Sequence, residues 1–241
     1  MTSFESISTW RQKTPSLVSA QRAQLLASIS EQICELSEQR LRVSIDGLAA
    51  SGKSSFGNEL ASTIRRMNRP TLRTSLDDFK KPWKDAREKG YDRVTGFGYY
   101  MNAPDFESAR NLLLQPAGTE GSGKVVLCAY DPLTGEDHRE VTVEAPRNSI
   151  LIVDSMFAFR PEYDDFWDFR IWLDVPMETS LSRGIERDKG SEGAEEAERV
   201  HRDRYQIAEM LYLNEVNPLA LADLIIDNRE YAHPLIVKRP N

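Results

Sequence analysis

The sequence predicts an α/β protein of three layers with a mostly parallel sheet, an inserted β-hairpin and a helical lid, and three observations predict it. Strand-like apolar runs at 41–46, 71–76, 149–154, 170–175 and 221–228 alternate with stretches of helical spacing; strands that alternate with helices build parallel sheets covered on both faces. The runs at 149–154 and 170–175 are nearly continuous in apolar residues, as strands buried on both sides are. The third observation is Gly47-Leu48-Ala49-Ala50-Ser51-Gly52-Lys53-Ser54, which satisfies Gly, four residues, Gly-Lys-Ser/Thr in full between a strand and a helix. That context turns the pattern into a phosphate-binding loop, or P-loop.

The 241 residues carry 31 Lys and Arg against 38 Asp and Glu, a net charge of −7. A general nucleic-acid or anionic-membrane surface needs a basic field, so neither partner is expected, and any anion site must be local. Cys34 and Cys128 are the only cysteines; they offer neither metal spacing nor a disulfide framework, and a reducing cytoplasm is the expected compartment. No apolar stretch reaches the length of a signal peptide core or the roughly 20 residues of a transmembrane helix.

In chain order, residues 1–16, polar with Trp10 and Pro15, read as a loosely held arm before a single domain over 17–241. Leu25, Leu26, Ile29, Ile33 and Leu36 then predict a helix beginning near Ser16. In the P-loop, Gly47 and Gly52 let backbone N–H groups of Ala49, Ala50, Ser51 and Ser55 approach a polyphosphate at the positive end of the next helix. Lys53 would reach its β/γ phosphates and Ser54 would ligate Mg²⁺.

The strand at 71–76 ends in Asp77-Asp78-Phe79, where ligands of open parallel sheets bind. A carboxylate there can take a proton from an attacking hydroxyl. Residues 80–104 read as a long basic and aromatic loop, with Lys80 and Arg93 as candidate acceptor contacts. Asp105 caps a helix over 105–114. Strands at 124–130 and 140–144 form the inserted hairpin, about 124–144, and its loop carries Tyr130, Asp131, His138 and Arg139 toward the crevice.

Asp154 ends the strand at 149–154 and is the candidate carboxylate for Mg²⁺ or its waters. A helix over 178–189 places Arg183 and Arg187 four residues apart on one side, where both guanidinium forks can meet phosphate oxygens. Gly190-Ser191-Glu192-Gly193 breaks that helix before a charged one over 194–215, so the lid spans about 183–215. After the strand at 221–228 comes a tail with Pro234 and Pro240.

With these pieces placed, the chain from about Arg42 to Asn228 resembles the phosphoribulokinase/uridine kinase family of P-loop kinases. The order is the family's: P-loop, strand ending in Asp77-Asp78-Phe79, aromatic loop, Tyr130-Asp131 hairpin, strand ending in an acid, Arg-rich lid and a final Ala222-Asp223-Leu224-Ile225-Ile226-Asp227 strand. The resemblance implies the P-loop NTPase fold and transfer of the γ-phosphoryl of Mg-ATP to a hydroxyl of a small molecule. It implies Asp77 as general base, Asp154 near Mg²⁺, Arg183 and Arg187 on the donor phosphates, and Tyr130, His138 and Arg139 on a nucleoside. A nucleoside is therefore the first acceptor expected. Acceptors bearing a carboxylate or phosphate, as pantothenate and ribulose phosphate do in related enzymes, stay open beside it. So do a non-catalytic nucleotide-binding regulator and assembly as a homo-oligomer.

Overall fold

The structure, a computed structural model, describes residues 3–10 and 19–238. In order the elements are β1 (Ser3–Glu5), α1 (Ala20–Leu36), β2 (Leu41–Gly47), α2 (Lys53–Arg66) and β3 (Thr71–Ser75). A 3-10 turn (Leu76–Phe79) follows, then α3 (Trp83–Lys89), α4 (Gly96–Asn102) and α5 (Phe106–Ser108), the last continued by a π-helical turn (Ala109–Leu114). Next come β4 (Lys124–Val126), β5 (Thr142–Glu144), β6 (Ile150–Asp154), α6 (Pro161–Asp164), β7 (Phe169–Asp174) and α7 (Met177–Glu192). The chain closes with α8 (Ala194–Val200), a π-helical turn (His201–Gln206), α9 (Ile207–Val216), α10 (Pro218–Leu221), β8 (Leu224–Asp227) and β9 (Leu235–Lys238).

Seven strands form one sheet in the order β1-β3-β6-β2-β7-β8-β9, parallel throughout except for β9. The mostly parallel three-layer architecture expected from the alternating runs is the one observed. One apolar layer packs α1 and α2 against the sheet through Ile29, Ile33, Phe56, Leu60 and Ile64. The other side buries Leu113, Phe157, Phe159, Tyr163 and Tyr212. β2 lies between β6 and β7 with Val43 and Ile45 fully buried, which fixes the P-loop at its carboxyl end.

Five expectations are corrected. Residues 3–10 are not loosely held: β1 pairs with β3, Ser6 Oγ donates to Asp78 at 2.5 Å, and Thr9 N–H donates to Asp131 at 2.6 Å. Pro15, Ser16 and Pro240 lie outside the described residues. Residues 80–104 hold two short helices, α3 and α4, where a loop was expected. The hairpin strands are shorter than expected, three residues each, with an isolated bridge between Tyr130 and Asp137 beyond them. β9 occupies the tail, and α7 runs through Gly190 to end at Gly193, whose φ is +89°. No helix among the described residues is long and apolar enough to cross a membrane.

Candidate active site

Two joined cavities open at the carboxyl end of the parallel strands. The first, about 320 Å³, is walled by Ala49, Ala50, Gly52, Lys53, Ser54 and Ser55 of the P-loop, with Asp77, Asp154, Arg183 and Arg187 facing it. The loop's tightness has a steric cause. A Cβ at Gly47 would come 2.6 Å from the Leu173 carbonyl oxygen, and one at Gly52, where φ is +97°, would come 2.8 Å from Asn228 Nδ2. Only glycine lets the chain pass between β7 and Asn228 with this curvature.

Around the loop stand groups that the sequence did not single out. Glu209 of α9 accepts from Ala49 N–H at 2.5 Å, and Asn228 Nδ2 donates to the Ser51 carbonyl at 2.7 Å. Ser51 Oγ is buried with no hydrogen-bond partner among the described residues. Lys53 Nζ donates to the carbonyls of Gly47 and Leu48 at 2.9 and 2.6 Å. Burial pulls its ammonium below the usual lysine value, against the opposing pull of Asp46, Asp154 and Glu209. Asp46 is itself fully buried, and burial pushes its carboxyl up to about 6 despite hydrogen bonds from Tyr212 and Gly47.

Ser54 and Asp154 meet. Ser54 Oγ donates to Asp154 Oδ2 at 2.7 Å, and Asp154 is 3 % exposed. The other Asp154 oxygen is paired with Arg73 of β3, which also donates to Asn58 at 3.0 Å. A hydroxyl and a carboxylate oxygen at one cavity wall are hard donors of the kind Mg²⁺ takes alongside phosphate oxygens and waters. No cluster of three or more His, Cys, Asp or Glu suited to a metal occurs among the described residues.

The adjacent acids part ways. Asp78 turns inward, 3 % exposed, and burial raises its carboxyl to about 6. Asp77 opens to the cavities with its side chain 37 % exposed, and Lys80 Nζ lies 2.6 Å from its Oδ1. Burial pushes the Asp77 carboxyl up, but Lys80, with Lys53 and Arg187 behind it, outweighs burial and holds it below the ordinary carboxylate value. Lys80 also donates to Tyr99 Oη and lies 4.9 Å from that ring's centroid.

The second cavity, about 790 Å³, shares Asp77, Lys80, Tyr99, Tyr205, Glu192 and Trp10 with the first. Arg93, Tyr130 and Arg139 line it, Arg139 stacked 5.0 Å from the Tyr130 centroid and paired with Asp137 at 2.6 Å. His138, expected at the crevice, lines neither cavity. Its N–H donates to the Ala129 carbonyl at 2.9 Å and its Nε2 sits 3.9 Å from Glu136. Its neighbours Asp137, bridged to Tyr130, and Arg139 do line the second cavity. On α7, Arg187 is held by Asp188 at 2.6 Å, and Arg183 donates to the carbonyls of Asn228 and Arg229.

The family model described as Phosphoribulokinase / Uridine kinase family matches residues 43–230. The chain belongs to that family. A search of curated proteins returns no match. Among solved structures, a possible uridine kinase from Bacillus stearothermophilus is similar at 24% identity with a TM-score of 0.58, over 83% of this chain and 98% of the other. D-glycerate 3-kinase from Cryptococcus neoformans var. grubii is similar at 12% identity with a TM-score of 0.51, over 89% and 98% of the two chains. At these identities the structural likenesses show the fold, while membership of the phosphoribulokinase/uridine kinase family makes the protein a small-molecule kinase. The matched span ends two residues beyond the final strand anticipated from sequence.

Proposed function

We propose that this family member transfers the γ-phosphoryl group of Mg-ATP to a hydroxyl of a small-molecule acceptor, with donor phosphates in the first cavity and acceptor in the second. The observation that carries the reading is the position of Asp77. Its carboxylate lines both cavities, with Lys53, Ser54 and Asp154 on one side and Arg93, Tyr130 and Arg139 on the other. Phosphoryl transfer asks a protein for positioning and charge more than for covalent chemistry.

Asp77, kept ionised by Lys80, would orient the acceptor hydroxyl and accept its proton. Backbone N–H groups of the P-loop and Lys53 would hold the donor phosphates, and Arg183 and Arg187 would reach them from the lid. Ser54 and Asp154 would hold Mg²⁺, which when bound neutralises charge on the phosphates. Tyr99 and Tyr205, edge to face at 5.3 Å, wall the junction and keep water from the acceptor oxygen. A nucleoside remains the first acceptor to try.

The test is ADP release over a panel of nucleosides, vitamins, sugars and sugar phosphates, with wild type beside Asp77→Asn and Lys53→Ala. Turnover that Asp77→Asn lowers at least a hundredfold supports the proposal, and so does loss of nucleotide-dependent thermal stabilisation in Lys53→Ala. Turnover of the best acceptor within a few-fold of wild type in Asp77→Asn sinks the assignment of the base. No turnover by wild type on any acceptor would favour a nucleotide-binding regulator.

A further inference from the structure

The second cavity has a charge imbalance that a neutral acceptor leaves unanswered. Its carboxylates are mostly committed: Asp137 to Arg139 at 2.6 Å, Asp85 to Lys89 at 2.7 Å, and Asp131 to Thr9 and the N–H groups of Leu133 and Thr134 at 2.6 to 2.9 Å. Glu192 stands apart at the junction with the first cavity. Lys81, Arg87, Arg93 and Arg204 line the same cavity with no carboxylate within 4.0 Å among the described residues.

Two of these cations converge. Arg93, between α3 and α4, and Arg204, on the π-helical turn of the lid, lie against one ring, 4.3 and 5.3 Å from the Trp83 centroid. Arg93 is 5 % exposed, its Nη1 donates to the Lys81 carbonyl, and its Nε is buried with no partner among the described residues. Arg204 Nε donates to the Val94 carbonyl at 2.8 Å. Like charges brought together beside a buried orphan donor are costly unless an anion joins them. The planar forks of two guanidiniums suit the paired oxygens of a carboxylate or phosphate.

We infer that Arg93 and Arg204, seated on Trp83, form an anion subsite that binds a carboxylate or phosphate group of the acceptor. The inference rests on the proposal that the second cavity is the acceptor site and narrows the acceptor to the charged class. Because Arg204 belongs to the lid and Arg93 to the acceptor side, an anion held by both would also draw the lid toward its substrate.

The experiment compares matched acceptors that differ in one anionic group: ribose with ribose 5-phosphate, glycerol with glycerate, uridine with uridine monophosphate. The charged member of at least one pair should be favoured about tenfold or more in kcat/KM. In Arg93→Gln and Arg204→Gln that preference should fall by a similar factor, with the loss in KM and not in kcat. Glycerate against ribose 5-phosphate separates a carboxylate from a phosphate. Preference for the neutral member in every pair overturns the inference while leaving the kinase reading intact, as does a preference that neither substitution moves. If no acceptor turns over, inorganic phosphate titrated by thermal shift decides. Stabilisation retained in Lys53→Ala and lost in Arg204→Gln supports the subsite, and the reverse pattern overturns it.

Discussion

Ser54 Oγ donates to Asp154 Oδ2 at 2.7 Å, joining the first turn of α2 to the last residue of β6, while Arg73 holds the other carboxylate oxygen. The two substitutions at this contact should therefore differ. Ser54→Ala removes a half-buried hydroxyl at the cavity wall and should raise the Mg²⁺ concentration for half-maximal turnover about tenfold or more, with a smaller drop in the urea midpoint of the free protein than Asp154→Asn gives. Asp154→Asn also leaves the Arg73 side chain, 9 % exposed, without its counter-charge. It should cost about 3 kcal/mol of stability besides activity, read by urea unfolding. Equal stability losses in the two variants would contradict this division.

The pairing of Asp77 with Lys80 makes a prediction about pH. Because the Asp77 carboxyl is held below its ordinary value, kcat/KM should show no acid limb from this group in the range above about pH 5. Lys80→Met removes the charge that outweighs burial, so the carboxyl rises and an acid limb moves up into the measurable range. Asp77→Asn should lower kcat by about 10² to 10⁴ at every pH. A Lys80→Met profile superimposable on wild type would mean that Lys80 does not set the ionisation of Asp77.

What could be read from sequence was what local spacing encodes. The strand, P-loop and α2 follow one another without a gap, so Lys53 and Ser54 announced themselves, and so did the acids at strand ends. Arg73, Glu209, Trp10 and Arg204 did not, because Trp10 and Arg204 line the cavities, and Arg73 and Glu209 hold Asp154 and the P-loop, only through contacts between residues far apart in sequence, with no register available to place them. The helices α3 and α4 were hidden for a different reason. Each has seven residues, too few for a period, and α4 is built from Gly96-Phe97-Gly98-Tyr99-Tyr100, poor helix formers. Burial of Tyr99 and Tyr100 against Phe157 overrides that propensity. The position of His138 outside both cavities was not legible, because a three-residue strand pair leaves the loop's facing to a single bridge.

Asp46 predicts a stability profile that runs opposite to ordinary acid denaturation. Its folded-state carboxyl sits near 6, above the 3.8 of an exposed aspartate, so the folded protein binds more protons than the unfolded one between these values. Stability then declines as pH rises from about 4 to about 6, by up to about 3 kcal/mol for a group this buried. Asp78, also near 6, acts in the same window, whereas the lowered carboxyls of Asp77, Asp131 and Asp188 act below pH 4. Asp46→Asn should flatten the decline between pH 4 and 6 in urea midpoints. Parallel wild-type and variant profiles would show that Asp46 does not titrate there.

Gly184 tests whether the packing of α7 on the π-helical turn holds Arg187. A Cβ at this position of α7 would stand 2.2 Å from Cε1 and 2.4 Å from Nδ1 of His201, whose side chain is 1 % exposed. His201 Nε2 lies 2.8 Å from Asp188 Oδ2, and Asp188 grips Arg187 through both its oxygens. Gly184→Ala must therefore displace the imidazole or part α7 from the π-helical turn, costing about 1–3 kcal/mol as overpacking does. A chain of this size loses about 2–4 °C of Tm per kcal/mol, so the melting temperature should fall by several degrees. Because the shift also loosens Asp188, KM for the nucleotide should rise. Adding His201→Ser removes the clash and should restore much of the melting temperature, yet it cannot restore the partner of Asp188, so the raised KM should persist. Recovery of both together would show that the His201 contact matters for packing alone and not for holding Arg187 at the first cavity.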